Sequence, residues 1–154
     1  MAATSTLDTL IELGQKALDE AGSRLADSRQ SEQQAQQFLD TLNQYHLDYR
    51  REMQRQMQSG MDALTLTNYR AFLGSLDKAI VQAKEAVESS TRSVDLNQEN
   101  WRNQHHKLNA YETLNSRREQ VEQTKQGRAE QRMSDEFSAR QARRHDNSYS
   151  PSGF

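Results

Sequence analysis

Residues 7–56 read LDTLIELGQKALDEAGSRLADSRQSEQQAQQFLDTLNQYHLDYRREMQRQ, and their spacing decides the fold. Alternating steps of four and three from Leu7 land on Ile11, Gly14, Leu18, Ala21, Leu25, Ser28, Glu32, Ala35, Leu39, Leu42, His46, Tyr49, Met53 and Gln56. Ten of these fifteen positions are apolar or aromatic, while the positions between them are mostly Asp, Glu, Gln, Arg and Ser. That is the 3.5-residue period of a coiled-coil seam. A second seam runs through Tyr69, Leu73, Leu76, Ile80, Ala83, Val87, Ser90, Val94, Asn97, Trp101, Gln104, Leu108 and Tyr111, and again ten of thirteen positions fit. Leu114 and Val121 carry an apolar stripe onward with a small phase slip.

Between the seams lies Ser59-Gly60-Met61-Asp62-Ala63. A glycine there permits the left-handed backbone that ends a helix, and Thr65, Thr67 or Asn68 can cap the next one. Two long helices with a short connection run antiparallel. The expected organisation is helix one over 1–58, a turn over 59–67, helix two with a C-terminal extension over 68–142, and a disordered tail over 143–154. A turn centred near 62–63 makes facing residues sum to about 125 by simple reflection. Gly14 then faces Tyr111, Leu25 lies near Trp101, and Ser28 falls opposite Asn97. Glu32 comes near Val94 with Arg92 at its flank, leaving open whether it is paired or solvated. About 50 residues at ~1.5 Å rise give a slender object of ~75 Å.

Composition agrees. The 154 residues are 33% hydrophobic and 27% charged, with one Pro and six Gly, and the mean hydropathy is -1.08. Such a chain cannot enclose a broad core, so folds with two-sided sheets are excluded. A net charge of -2 argues against a whole-chain grip on nucleic acid. The absence of Cys excludes a disulfide framework and fits a reducing compartment. No apolar run approaches the ~18 residues of a membrane span, and MAATSTLDTL lacks the basic start and apolar stretch of a signal peptide. An intracellular chain that does not enter the membrane, monomeric in isolation, is expected.

No catalytic constellation emerges: GxxxxGK[ST], HExxH, CxxC and GxSxG are all missing. His105 and His106 are adjacent and point ~100° apart on a helix, unsuited to sharing a metal. The reading is a non-enzymatic protein with no cofactor and no metal. Two features rise above the seam itself. Phe38 and Tyr45 lie seven apart, as do Phe72, Ala79 and Ala86, widening the seam into an apolar band suited to a partner. Arg117, Arg118, Lys125, Arg128, Arg132, Arg140, Arg143 and Arg144 crowd the second helix beyond the first; there Met133 and Phe137 share a helical face.

The residues also resemble a known family, the flagellar export protein FliJ family, from about Leu7 to Ala142. The resemblance rests on Leu42, Tyr45 and Tyr49-Arg50; Asn68-Tyr69, Phe72, Leu76 and Lys78-Ala79-Ile80; Trp101-Arg102, Lys107-Leu108, Ala110 and Thr113-Leu114; and Met133, Asp135-Glu136-Phe137 and Ala139-Arg140. No single piece is a sharp motif; order, spacing and coverage carry it together. The resemblance implies an all-α fold, an antiparallel coiled-coil hairpin like the central stalk (gamma subunit) of rotary ATPases. It implies work in flagellar type III export, at the cytoplasmic face of the inner membrane. The implied partners are the hexameric export ATPase FliI, the cytoplasmic domain of the export gate FlhA, and export chaperones such as FlgN and FliT.

The gate-binding positions it implies are Leu42, Tyr45, Tyr49, Phe72, Leu76 and Ala79. Phe38 and Ala83 extend that surface but replace the family's usual Gln and His. For the ATPase ring, geometry and resemblance together suggest Leu7, Leu18, Leu25, Arg117, Arg118, Arg128, Phe137 and Arg140. The stalk of a virulence-type injectisome and a generic coiled-coil adaptor are the alternative readings.

Overall fold

A computed structural model describes residues 5–148 and contains two helices, α1 (Thr6–Ser59) and α2 (Ala63–Asn147). They pack against each other as an all-α helical hairpin, as the two seams require. The start of α1 is fixed by a reciprocal pair of bonds that satisfies two otherwise orphaned amides. Ser5 Oγ accepts from the Asp8 amide and Asp8 Oδ2 accepts from the Ser5 amide, both at 3.2 Å. Its end is fixed by Gly60, whose φ of 90° is the left-handed conformation that a Cβ disfavours. The Gly60 amide donates to the Met57 carbonyl at 3.3 Å.

The connection is tighter than the expected 59–67, because a cap earlier than Thr65, Thr67 or Asn68 is used. Asp62 Oδ1 accepts from the Thr65 amide at 3.2 Å, and the Asp62 carbonyl accepts from the Leu66 amide. The helix therefore begins at Ala63 rather than residue 68. The other end also differs. Expected to stop at 142, α2 reaches Asn147 with Arg144 and His145 in its last turn, where cations complement the helix dipole. Ser148 closes it, its amide donating to the Arg144 carbonyl and its hydroxyl to that of His145. The rest of the expected tail, residues 149–154, lies outside the described residues.

Two compact units are distinguished. Residues 12–108 form a paired hairpin whose core is the two seams: Ala21, Leu25, Leu39, Leu42, Leu76, Ala83, Val94 and Leu108 are buried. Leu39, Leu42, Leu76 and Ala83 make one cluster, with Leu73, Ala79, Ile80 and Val87 packed on it. Each large aliphatic side chain buried there stabilises the pairing by ~1.5–3 kcal/mol. His46 Nε2 meets Asp77 Oδ1 at 2.8 Å, and Gly22 lies against Trp101. Both pairs sum to 123, within two of the expected 125. Buried Ser28 does not depend on Asn97, because its hydroxyl donates to the Leu25 carbonyl one turn back at 2.8 Å. Glu32 is half-buried and makes no ion pair among the described residues.

The second unit joins the first turns of α1 to the part of α2 from residue 109 onward. Asp8 and Arg118 approach to 3.9 Å there. Asn115 is half-buried, with its side-chain oxygen lacking a hydrogen-bond partner. From 116 to 148 every residue is exposed. Pairs that sum to about 125 leave no α1 residue opposite α2 beyond about residue 119, because α1 begins at Thr6. The seam positions continued from Tyr111 are also mostly polar: Asn115, Arg118, Glu122, Lys125, Ala129, Arg132 and Glu136.

Candidate partner-binding surfaces

In heptad terms, Phe38, Tyr45, Phe72, Ala79 and Ala86 occupy the position immediately before a seam residue, on both helices. In an antiparallel pair these positions line the same flank. The rings are left uncovered: Phe38 is 60% exposed, Tyr45 53%, Phe72 41% and the seam residue Tyr49 40%. Tyr49 packs on Phe72 with ring centroids 4.2 Å apart, and on Tyr69 at 6.2 Å. The second lies at a separation where tilted aromatic pairs attract, and the first is a closer ring-on-ring contact. The result is an aromatic patch built from both helices, in which Tyr49 packs on Phe72 and Tyr69.

Beneath it the remaining positions of the set play a different part. Leu42 and Leu76 are each 8% exposed and belong to the core cluster, while Ala79 is half-buried against it. Of the six, then, Tyr45, Tyr49 and Phe72 present surface, and Leu42 and Leu76 lie inside the seam. Ala83 is buried, and Phe38 is exposed. Tyr69 is the member that sequence reasoning assigned to packing alone, although its spacing four before Leu73 equally allows the ring contact with Tyr49.

Electrostatics near the patch are simple. Glu52, in the next turn of α1, pairs with Arg55 at 2.6 Å. Hydrogen bonds from Arg55 and then Gln56 hold its carboxyl below the ordinary range, and the Arg55 guanidinium is correspondingly raised. Both groups are solvated, so the pair shapes the surface without stabilising it appreciably. The His46–Asp77 contact ties the two helices together beside the cluster.

The other predicted set is divided. In the second unit Arg117, Arg118, Arg128, Phe137 and Arg140 are exposed and Leu7 is half-buried. Val121 sits in a shallow groove edged by Arg117, Lys125 and Arg128, and Phe137 and Met133 line another with Glu136 and Arg140. In the hairpin unit Leu18 is half-buried and Leu25 is 8% exposed, facing the seam. No group of three or more His, Asp or Glu able to hold a metal occurs among the described residues. The His105 and His106 rings stand edge to face, 6.4 Å apart. No helix among the described residues is long and apolar enough to cross a membrane.

Comparison with known proteins adds a family. The family model described as flagellar FliJ protein matches residues 4–147. Two curated relatives are similar over 144 residues, 94% of this chain and 98% of theirs. The flagellar FliJ protein of Escherichia coli K12 is 32% identical, and that of Salmonella typhi is 33% identical.

Proposed function

The chain belongs to the flagellar FliJ family, a family of flagellar export components, and we propose that it acts as a non-enzymatic helical stalk in flagellar protein export. Its aromatic patch binds the cytoplasmic domain of the export gate FlhA. Its exposed helical stretch enters and promotes the hexameric ring of the export ATPase FliI. The chain works at the cytoplasmic face of the inner membrane and escorts export chaperones such as FlgN and FliT.

One observation carries the gate contact: Tyr45, Tyr49 and Phe72 stand exposed, and the Tyr49 and Phe72 rings pack on each other across the two helices. A ring held by packing loses little conformational freedom on binding, which is what a partner-binding anchor requires. The double variant Tyr45→Ala/Phe72→Ala tests it in a pull-down of the gate's cytoplasmic domain. Binding should fall about tenfold or more, as for anchor residues, with helicity by circular dichroism nearly unchanged. Gate binding at the original level by the helical variant would refute the assignment.

The ATPase contact is supported by a different property. Residues 116–148 offer a single uncovered helix, ~10–12 Å across, with arginines able to make charge-assisted bonds to polar loops of a ring. Removing residues 118–154 should abolish stimulation of the ATPase while sparing gate binding, and stimulation by the full chain should weaken with salt. Full stimulation by the helical truncation would move the contact elsewhere, most simply to the Gly60 connection.

A further inference from the structure

The hairpin unit carries a second surface that the aromatic patch does not use. Trp101, the only tryptophan in the chain, sits at a seam position but remains only half-buried. The reason lies on α1. A Cβ built on Gly22 would stand 3.7 Å from the indole Nε1 and 3.8 Å from Cδ1, so α1 passes the indole with bare backbone. Ala26 follows one turn later. Their small size leaves a groove of about 460 Å³ lined by Gly22, Leu25, Ala26, Arg29, Gln98, Trp101 and Arg102. His105 stacks on the indole at 5.1 Å with an 18° tilt and steadies it from the next turn. By heptad position Gly22, Arg29, Gln98 and His105 each follow a seam residue, the flank opposite to that of Tyr45 and Phe72.

The lining selects the charge of an occupant. Its only charged members are Arg29 and Arg102, no carboxylate lines it, and neither arginine is ion-paired among the described residues. A glycine inside a helix costs roughly 1 kcal/mol against alanine, and here nothing in the backbone requires it. The ordinary van der Waals distance to the indole shows that a methyl would fit without strain. What the glycine preserves is access to the indole.

We propose that this groove docks an acidic helical segment of a protein partner. An apolar side chain of that segment lies against Trp101 across Gly22, and carboxylates on its flanks reach Arg29 and Arg102. This is the helix-in-groove mode of recognition with a cationic rim, on the edge of the hairpin that the proposed gate contact leaves open.

Trp101 is its own reporter. The full chain is titrated with an acidic amphipathic peptide of about 14 residues, with Leu and Phe four apart among glutamates, while tryptophan emission is followed. The expected result is a saturable change in emission, absent with the same peptide carrying lysines for glutamates. Gly22→Leu, which fills the groove and favours the helix, should remove it. Arg29→Glu/Arg102→Glu, off the seam, should weaken binding about tenfold and decides the matter should Gly22→Leu lose helicity. Tyr45→Ala/Phe72→Ala should bind the peptide normally, so failure here and failure of the gate reading are separable. No saturable change, an equal response to the lysine peptide, or unaltered affinity in the arginine variant would overturn the proposal.

Discussion

Residues 12–108 and residues 116–148 are both helical, yet they are helical for different reasons. In the first, apolar residues recur every 3.5 positions on two strands, and Leu39, Leu42, Leu76 and Ala83 close into a core. In the second, every residue is exposed. Its order comes from local sources: a side-chain bond such as Gln131 to Asp135, good helix formers, and basic residues in the last turn. Helices sustained only locally are marginal in water, whereas a buried stripe makes helix formation cooperative with tertiary packing. One region is held by its core, and the other is an exposed helix held mainly by local bonds.

Truncation of the seam gives the largest contrast between them. Leu42→Ala or Leu76→Ala should lower stability by ~2–5 kcal/mol, since each removes a side chain from the closed cluster. Val121→Ala and Met133→Ala, 53% and 71% exposed, should stay within ~0.5 kcal/mol. Urea unfolding followed by circular dichroism measures both. A large cost at Val121 would break the comparison, because it would mean that the stretch is packed in solution.

Glycine substitutions sharpen it further, because they should move the two regions in opposite directions. Gly60→Ala places a Cβ on a residue with φ of 90° and should destabilise the hairpin by ~1–2 kcal/mol. Gly127 lies in open helix with nothing near its Cβ position. Gly127→Ala should stabilise its surroundings by ~1 kcal/mol. The gain should appear as slower amide exchange around residues 123–131 and not in the cooperative unfolding of the hairpin. A gain in the cooperative transition would mean that the two regions unfold as one.

The legibility of the sequence follows the same division. Both seams, their antiparallel pairing and a register within two residues could be read, because burial imposes a period that chance seldom holds. The helix ends could not, because capping turns on single side chains. Asp62, Thr65, Thr67 and Asn68 were all chemically able to cap α2, and the structure uses Asp62. For the patch, spacing located Tyr45 and Phe72 on one flank. The same arithmetic puts Leu42 and Leu76 inside the seam, and both are buried there. The Tyr49–Tyr69 contact and the stacking of His105 on Trp101 depend on side-chain reach, which periodicity does not encode.

The smallest effect expected is at the Asp62 cap, and it tests whether the connection behaves as part of the scaffold. Bonds from the Thr65 side chain and amide hold the Asp62 carboxyl below its ordinary value of 3.8. A carboxyl depressed in the folded state binds its proton more weakly there than in the unfolded chain. Its contribution is therefore complete above the ordinary value and is lost as pH falls through the depressed one. Because the group is fully solvated, the effect should be confined to the first turn of α2. In an NMR titration, the Thr65 amide and the Asp62 carboxyl should shift together, with a midpoint below 3.8, while the Leu42 and Leu76 methyl signals stay fixed. Asp62→Ala should remove the titration and loosen the amides of Thr65 and Leu66, and should move the urea midpoint less than Gly60→Ala does. If acid instead shifts the Leu42 and Leu76 signals in step with Thr65, the cap and the core form one cooperative unit, and the connection belongs to the scaffold.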